Sequence, residues 1–464
     1  MVNEQKIVVI GCGAGGGTAA QFARKTDRNA RITILEKSNY PQYSKCGLPY
    51  VISKKIKKFN ELIEFSQEWF EKERINLILN ATVKKISFKK NKLSFEKDNK
   101  NKEIEFDKLI IATGAKTYIP PIKDVYTTDG TLVNGVCVLR TIDDGKKLYS
   151  NIKGKKKITI IGAGLIGLEI ADSLTQKGFD VTVVEALPYI LGYTLDGDMS
   201  QNIYEELKQK ICIFIDHNAT RLVCKNGKIK FLHLRNNKNG QEFKIETDIV
   251  IISTGSKPEV NLAKSIGCKI GENGGIVVNN KCETSIKGVY AVGDCTEYKD
   301  YITNKSTCVG LGSIAVRQGI SAGINATDGN YDFPKGLLQT RTSKFFGFEV
   351  AAVGPVKNNL KDYPILFGKI SGSSLISYYP GGKPIIIKIG INEKTGKIVC
   401  AQAVGSNAAL RINVFACAIQ NGANIEEMRK LETAYAPPIA PTLDVITLAC
   451  DVAFLKYSRK KNKL

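Results

Sequence analysis

Two short stretches of the sequence carry three glycines at the spacing Gly-x-Gly-x-x-Gly, each directly after a run of apolar, mostly β-branched residues. The first contains Gly11, Gly13 and Gly16, and the second contains Gly162, Gly164 and Gly167. In such a loop the first glycine permits a tight turn, the second lets backbone approach a pyrophosphate, and the third lets a helix pack closely on the strand. The helix N-terminus offers free N–H groups to phosphate oxygens. Each stretch therefore predicts a dinucleotide-binding loop.

Each glycine loop is followed by a helical pattern and a second apolar strand that ends in an acid. Glu36 follows Gly11 by 25 residues, and Glu185 follows Gly162 by 23. A carboxylate near this separation binds a ribose hydroxyl in dinucleotide-binding folds. One glycine cluster alone would also fit an ordinary turn. Two copies with the same order of strand, loop, helix and acid predict two dinucleotide sites.

The strands that must position these loops are also visible in the sequence. Apolar runs that stop at small-residue turns, as buried parallel strands do at a ligand crevice, occur at residues 108–114, 248–255 and 288–294. Alternating stretches at 82–106 and 219–246 predict β-hairpins. After about residue 330 the pattern changes to strands followed by helices. The predicted fold class is α/β, with two Rossmann-like dinucleotide-binding domains and a C-terminal α+β domain.

The bulk composition is that of a globular protein. Of the 464 residues, 43% are apolar and 24% are charged, close to the averages for soluble domains. The sequence contains no run of about 18 apolar residues and no secretory signal pattern. We therefore expect a cytoplasmic protein that does not insert into membranes.

The net charge of +22 is the unusual bulk property. Lysine-rich stretches such as 54–58, 153–157 and 459–461 carry much of the excess and are typical of solvated loops and ends. Such a surface could also attract anionic, phosphate-bearing substrates. Nucleic-acid binding is not expected, because no helix-turn-helix, zinc-finger or RNA-stacking motif accompanies the charge.

Twelve cysteines are spread along the chain without any Cys-x-x-Cys pair. Zinc and iron–sulfur sites need closely spaced ligands, so we expect no metal. His217 and His233 are the only histidines, and both lie in polar, strand-like stretches. Catalysis by histidine therefore has few candidates.

Five further segments carry a family resemblance that covers nearly the whole chain. They are Ser44–Tyr50, Phe106–Ala115, Tyr290–Asp294, Tyr378–Gly381 and Ala434–Pro438. Together with the glycine loops, they resemble the flavoprotein disulfide reductases, specifically the single-cysteine branch that contains coenzyme A-disulfide reductase, NADH oxidase and NADH peroxidase. The resemblance implies FAD at the first loop, NADH or NADPH at the second, and a homodimer interface in the C-terminal domain.

The resemblance also implies that the FAD-binding domain is interrupted in sequence. It would comprise residues 1–118 and 248–328. The NAD(P)H-binding domain would comprise 119–247, and the dimerisation domain 329–464.

At matching positions, the first glycine loop and Glu36 would hold the ADP part of FAD, and Asp294 would bond its ribityl chain. Val83 would meet the adenine through its backbone, although a core valine would look the same. The other matching cofactor positions are Thr113, Gly114 and Gly255. The second loop and Glu185 would hold the nicotinamide cofactor. No arginine in Ala186–Pro188 could accept a 2′-phosphate, so we expect NADH to be preferred, with NADPH as the alternative.

Cys46 is the residue on which the implied chemistry would depend. The residues after it predict a helix that begins there, with Pro49 tolerated in the first turn. A helix N-terminus and the adjacent Lys45 would favour the thiolate, which is the nucleophile in disulfide exchange. The Cys-x-x-x-x-Cys pair of glutathione-reductase-like enzymes is absent. An oxidised Cys46 would therefore form either a mixed disulfide with a small thiol such as coenzyme A or a sulfenic acid.

The remaining matches predict the acceptor. Tyr378, Tyr379 and Tyr435 match tyrosines of coenzyme A-disulfide reductases, where Tyr435 would reach across the dimer, although it could also be a packed aromatic. Substrate contacts would come from Thr18, Lys25, Lys45 and Arg74, with Lys25 and Arg74 at the coenzyme A phosphates. The oxidase and peroxidase members carry a histidine in the first loop, and this loop has none. These residues favour coenzyme A disulfide or a related persulfide.

Three positions depart from the family pattern. Lys45 replaces the usual asparagine, and Leu165 stands where many relatives have a tyrosine in the nicotinamide site. Residues 439–443, ending at Leu443, lack the usual Ser-x-x-Lys that contacts coenzyme A. The alternative acceptors are oxygen or peroxide, through a cysteine sulfenic acid, and polysulfide. A non-enzymatic alternative is a flavin-binding redox sensor, in which a reactive cysteine is unnecessary.

Overall fold

Two compact units make up the chain, and the computed structural model describes residues 4–308 and 310–461. The first unit comprises the residues up to Tyr118, Arg140–Lys146 and Gly255–Leu337. The second comprises Ile119–Leu139, Lys147–Thr254 and the chain from Leu338 onward. Each unit is therefore assembled from three separate stretches of sequence.

A five-stranded parallel sheet forms the centre of the first unit. In spatial order its strands are Val289–Ala291, Lys108–Ile111, Lys6–Ile10, Arg31–Leu35 and Ile75–Ile78. The helix Ala14–Thr26 connects the third of these strands to the fourth, and it packs against the helix Gly312–Ala326. A Cβ added to Gly319 would lie 2.9 Å from the Thr18 Cβ, so the glycine lets the two helices approach closely.

Smaller elements complete the first unit. The hairpins predicted at 82–106 are an antiparallel sheet of Thr82–Ser87, Lys92–Lys97 and Lys100–Glu105. The other strands are Ala115–Thr117, Ser256–Pro258, Ile276–Val277, Thr296–Lys299 and Ser306–Thr307. The short helices are Leu48–Ile52, Gln67–Lys72 and Asn261–Ser265.

A second five-stranded parallel sheet lies in the second unit. In spatial order its strands are Cys212–Phe214, Asp180–Val184, Lys157–Ile161, Ile249–Ile252 and Val136–Cys137. The helix Leu165–Thr175 connects the third strand to the second, and Gly197–Leu207 follows. The predicted hairpins are the antiparallel strands His217–Lys225, Lys228–Asn236 and Glu242–Glu246. The helix Ile142–Asn151 contains the point where the chain passes from one unit to the other.

The strand after residue 248, which the prediction assigned to the FAD-binding domain, lies in the second unit. Ile249–Ile252 pairs in parallel with Lys157–Ile161, so the residues up to Thr254 belong to the second unit. Arg140–Lys146 belongs to the first unit, although the prediction placed it in the second dinucleotide-binding domain. The sequence could not decide these points, because a short apolar strand has the same pattern in either parallel sheet.

The C-terminal part of the second unit is a five-stranded antiparallel sheet with helices. In spatial order its strands are Arg341–Phe345, Phe348–Val353, Ile398–Gly405, Pro384–Asn392 and Ile365–Ser373. The helices are Ala408–Gln420, Ile425–Met428 and Val445–Lys461. The α+β character predicted after residue 330 is confirmed, but the last helix was not predicted. Gly368 allows that helix to approach the sheet, since a Cβ there would lie 2.7 Å from the Ala449 carbonyl oxygen.

The two glycine loops share one backbone geometry. Gly11 and Gly162 have φ angles of +102° and +104°, which residues with side chains rarely adopt. A Cβ added to Gly16 would overlap the Gly11 carbonyl oxygen and lie 2.9 Å from the Ala112 Cβ. A Cβ on Gly167 would overlap the Gly162 carbonyl oxygen in the same way. The third glycine therefore allows each helix to start directly against the turn.

We expect Gly16→Ala to lower the free energy of unfolding by about 2 kcal/mol or more, because the new methyl group must displace the Gly11 carbonyl. Gly13→Ala is the matched control. Gly13 has a φ of −76° and no atom lies within 4 Å of its added Cβ, so the loss should stay below about 1 kcal/mol. Urea denaturation followed by circular dichroism measures both changes. Equal midpoints for Gly16→Ala and the parent would show that the close approach is unimportant.

Candidate functional site

At the first glycine loop the backbone is accessible at Gly13, and hydrogen bonds fix the carboxylate of Glu36. Glu36 Oε2 accepts a hydrogen bond from the Cys12 backbone N–H at 2.7 Å, and its Oε1 accepts one from the Ser38 N–H at 2.8 Å. Gly13 is the N-cap of the 13-residue helix Ala14–Thr26, and nothing lies within 4 Å of its added Cβ. Space is therefore left at the positive end of the helix dipole, as a pyrophosphate requires.

The second glycine loop repeats this arrangement. Glu185 Oε2 accepts a hydrogen bond from the Ala163 N–H at 2.7 Å, and its Oε1 accepts one from the Leu187 N–H at 2.8 Å. Gly164 is the helix N-cap and is equally open. The two carboxylates thus bond equivalent backbone groups, one within the loop and one after the strand. This donor and acceptor set fits a dinucleotide at each loop.

Asp294 forms an ion pair that sequence reasoning missed. Its Oδ2 lies 2.5 Å from Arg140 Nη2, and both side chains are only about a fifth exposed. The Arg140 Nε–H also donates to the Ala115 carbonyl at 2.6 Å. Arg140 lies in the short stretch that returns to the first unit, 154 residues before Asp294 in sequence. No sequence signal linked the two residues, because only the fold brings that stretch to the strand end.

Cys46 lies in a 3-10 turn, Lys45–Gly47, directly before the helix Leu48–Ile52. The predicted helix is present with Pro49 in its first turn, but it begins at Leu48 and not at the cysteine. The physical reason is that Lys45–Gly47 closes tighter i to i+3 bonds, so regular α-helix starts only after the glycine. The Cys46 side chain is exposed.

Lys45 connects the cysteine turn electrostatically to the Asp294–Arg140 pair. Although part of its surface is open to solvent, surrounding protein desolvates the ammonium group and thereby lowers the pKa of Lys45. The positive charge of Arg140 lowers this pKa further, whereas Asp294 and Glu36 raise it. The turn that carries Cys46 therefore lies close to the residue predicted to bind the ribityl chain.

The other cysteines differ from Cys46 in accessibility or position. Seven are buried: Cys12, Cys137, Cys268, Cys282, Cys295, Cys400 and Cys450. Burial raises the pKa of the Cys12 thiol well above its usual range, and the neighbouring Glu36 carboxylate adds to the shift. Burial likewise raises the pKa of Cys282 to about 12. Such thiols stay protonated at neutral pH and are poor nucleophiles.

Two of the predicted tyrosines are in direct contact. The Tyr378 and Tyr435 hydroxyl groups lie 2.8 Å apart, and their side chains are 69% and 45% exposed. This hydrogen bond raises the pKa of Tyr378. Tyr379 is 39% exposed. The structure thus gathers, on one exposed surface, two hydroxyl groups that lie 57 residues apart in sequence.

A buried ion pair holds the end of the segment that carries Tyr435. Arg411 Nη2 lies 2.7 Å from Asp444 Oδ2, and Arg411 Nε lies 2.9 Å from Asp444 Oδ1. Asp444 immediately precedes the helix Val445–Lys461. Leu443, at the end of the departing stretch 439–443, is 59% exposed. No sequence pattern predicted this pair, because Arg411 and Asp444 lie far apart in the chain.

Lys25 and Arg74 lie in an arginine-rich part of the first unit. Arg24, which the sequence did not single out, is 5% exposed and donates to the carbonyl oxygens of Arg74 and Arg28, each at 2.8 Å. Arg74 Nη2 in turn donates to the Arg28 carbonyl at 3.1 Å. Lys25 lies in the last turn of the same helix as Arg24, with Nζ 4.6 Å from the Phe22 ring centre. The buried guanidinium thus ties the region of Lys25 to that of Arg74.

Other predicted site residues have mainly structural contacts. Thr18 is 6% exposed against the helix Gly312–Ala326. Val83 pairs with Phe95 in the hairpin sheet and packs on the core. Thr113 Oγ1 donates to the Glu259 carbonyl at 2.6 Å.

Gly114 and Gly255 have φ angles of +70° and +92°. Leu165 is the first residue of its helix. Their cofactor and substrate roles stay predictions.

Residues 4–308 and 310–461 contain neither a candidate metal centre nor a candidate membrane span. No cluster of three or more His, Cys, Asp or Glu side chains within these ranges is placed to hold a metal ion. No helix in this part of the chain has the length and apolar character needed to cross a membrane.

Comparison with known proteins agrees with this geometry. Residues 5–319 match the pyridine nucleotide-disulphide oxidoreductase family, and residues 340–445 match its dimerisation domain. A protein named NADH oxidase from Methanocaldococcus jannaschii is 37% identical, over 98% of this chain and 100% of its own length. A protein named NAD(P)H sulfur oxidoreductase (CoA-dependent) from Pyrococcus furiosus is 31% identical, over 97% and 99%.

A solved structure gives the same result. The NAD-dependent persulfide reductase from A. fulgidus superposes with a TM-score of 0.92 at 30% identity, over 98% of this chain and 84% of that one. The chain belongs to the pyridine nucleotide-disulphide oxidoreductase family.

Proposed function

We propose that the protein reduces coenzyme A disulfide, or a related persulfide, with electrons that pass from NADH through FAD to Cys46. The observation that carries this proposal is the position of Cys46. Its thiol is exposed in a turn whose Lys45 interacts with the Asp294–Arg140 pair. Asp294 is the expected ribityl contact, so the thiol would lie near a flavin bound at the first glycine loop.

The first unit would bind FAD through its glycine loop, Glu36 and Asp294, and the second glycine loop with Glu185 would bind NADH. FAD, when bound, supplies the two-electron relay between the nicotinamide and the cysteine. The Gly13 and Gly164 backbones are open for the two pyrophosphates. The family as a whole uses FAD and NAD(P)H, and the choice of NADH rests on Glu185 and on the absence of an arginine directly after it.

The chemical step at Cys46 is a thiol–disulfide exchange. The Cys46 thiolate attacks one sulfur of the substrate disulfide, and the other sulfur leaves as coenzyme A thiolate. Two electrons and a proton then cleave the mixed disulfide and release the second coenzyme A thiol. Lys45 would stabilise the thiolate form of Cys46, because a cation next to a thiol favours its deprotonation. Over one cycle, NADH is oxidised to NAD⁺ and one disulfide becomes two thiols.

The C-terminal domain would form a homodimer and complete the site. Tyr435, with Tyr378 and Tyr379, would act beside the partner's flavin and cysteine, and a tyrosine hydroxyl there could protonate the leaving thiolate. Exposed apolar side chains occur on the same domain at Leu410, Leu431, Ile439, Leu443 and Leu455. A dimer interface formed by this domain would cover such side chains. The match to a dimerisation domain supports this assignment.

Coenzyme A would be recognised through its phosphates. Lys25 and Arg74, joined through Arg24, provide positive charge in the first unit, and Thr18 would contribute at its small exposed surface. The P. furiosus relative is named for a coenzyme A-dependent reaction, which supports this substrate class. We place the reaction in the cytoplasm, where coenzyme A and NADH are available.

A second candidate function is NADH oxidation by oxygen. The relative that is 37% identical carries the name NADH oxidase. Against this, the first glycine loop holds the buried Cys12 and no histidine, so a peroxide intermediate would lack that group. Polysulfide reduction is a further candidate function, and measured turnover separates the three. The match to an oxidoreductase family speaks against the non-enzymatic role as a redox sensor.

Arg140→Met should weaken FAD binding by roughly ten- to a hundredfold, because loss of a charge-assisted hydrogen bond to the largely buried Asp294 costs about 1.5–3 kcal/mol. Titration of the apoprotein with FAD, followed by flavin fluorescence, gives the dissociation constant. Lys116→Met is the matched control, since it also removes a cation from the same unit, at a lysine whose side chain is 68% exposed. An unchanged constant for Arg140→Met would show that Asp294 does not need this partner.

Cys46→Ser should abolish the reduction of coenzyme A disulfide, because serine cannot form the mixed disulfide. Flavin reduction by NADH should survive, since hydride transfer precedes the thiol step, and slow oxygen consumption should persist. Cys417→Ser, at another exposed cysteine, is the control and should retain parent activity. If Cys46→Ser reduced the disulfide at the parent rate, Cys46 would have only a structural role. A parent enzyme that consumes oxygen faster than it reduces every disulfide tried would establish the oxidase function instead.

A further inference from the structure

The turn at residues 237–241, between two strands of the hairpin sheet, lies against the chain directly after Glu185. The Asn237 side-chain amide donates to the Ala186 carbonyl at 2.9 Å, and the Asn237 backbone N–H donates to the Asp216 carbonyl at 2.7 Å. The Asp216 N–H donates to the Leu187 carbonyl at 2.9 Å. This turn therefore packs against the residues that follow Glu185, whose carboxylate is expected to bind the cofactor's ribose.

This turn contains Lys238, and an ion pair fixes the position of its ammonium group. Lys238 Nζ lies 2.8 Å from Asp216 Oδ2, and the Lys238 side chain is 73% exposed while that of Asp216 is 13% exposed. The Asn236 side-chain oxygen accepts from the Lys238 N–H at 2.9 Å and orders the turn. The ammonium group is thus held by Asp216, the residue whose N–H bonds the Leu187 carbonyl, although Lys238 lies 53 residues after Glu185 in sequence.

A 2′-phosphate on the ribose would bring negative charge to this place. The Glu185 carboxylate, held by the Ala163 and Leu187 N–H groups, would repel it, and Asp216 would do so as well. Lys238 would attract it, but the ion pair with Asp216 neutralises much of that attraction. How strongly Asp216 pairs with Lys238 therefore affects how tightly NADPH binds relative to NADH.

We propose that Lys238 is the contact for the 2′-phosphate of NADPH, and that Asp216 restrains it and so contributes to the preference for NADH. This inference rests on the proposed binding of the nicotinamide cofactor at the second glycine loop. It does not depend on the identity of the acceptor.

The test is direct titration of the FAD-loaded protein with NADH and with NADPH under anaerobic conditions, by calorimetry or stopped-flow absorbance. Asp216→Asn releases Lys238 and keeps the backbone, because asparagine tolerates the φ of +58° at this position. We expect this variant to bind NADPH roughly three- to tenfold more tightly relative to NADH. Adding Lys238→Ala to it should cancel the gain. Lys228→Ala, at the opposite end of the strand Lys228–Asn236, is the matched control and should leave the ratio unchanged.

Three outcomes would overturn the inference. A double variant that keeps the gain in NADPH binding would show that Lys238 makes no contact with the phosphate. An unchanged ratio for Asp216→Asn would show that Asp216 does not restrain the lysine. If the parent binds neither nucleotide, the proposed cofactor site itself fails, and loss of flavin reduction by NADH would identify that failure separately.

Discussion

In both glycine loops the third glycine lies against the carbonyl oxygen of the first, with no room for a side chain between them. This close approach fixes where the following helix starts and aims its free N–H groups into open space. It also brings the next strand close enough for its terminal glutamate to accept a hydrogen bond from the loop. The rest of each candidate site is arranged around that constraint.

The two loops share a geometry, but the residues around them differ in charge and chemistry. Around the first, Arg140 pairs with Asp294, and Lys45 brings the Cys46 turn near that pair. Around the second, the residues directly after Glu185, Ala186–Pro188, are apolar, and Lys238 is paired with the acid Asp216. Under the proposed function, the repeated fold would therefore serve two different roles, a redox centre at the first loop and a nucleotide site at the second.

Much of this could be predicted from the sequence, because glycine spacing, strand-end acids and alternating hairpins are local patterns. Both parallel sheets, the hairpin sheets and the α+β character of the C-terminal domain were found in this way. Arg140, Arg24 and the Arg411–Asp444 pair were missed, because their partners are brought near only by the tertiary fold. The helix Val445–Lys461 was missed because it has no clear apolar stripe, and its close contact with Gly368 cannot be read locally.

The central claim is that Cys46 forms a covalent mixed disulfide with the substrate. The most direct measurement is mass spectrometry of the Cys46 peptide, from enzyme incubated with coenzyme A disulfide, without NADH, and quenched with acid. The account predicts one coenzyme A adduct on Cys46, lost when NADH is added, with Cys212, Cys224 and Cys417 unmodified. An unmodified Cys46 in enzyme that turns over coenzyme A disulfide, or an adduct on another cysteine that disappears with NADH, would contradict it.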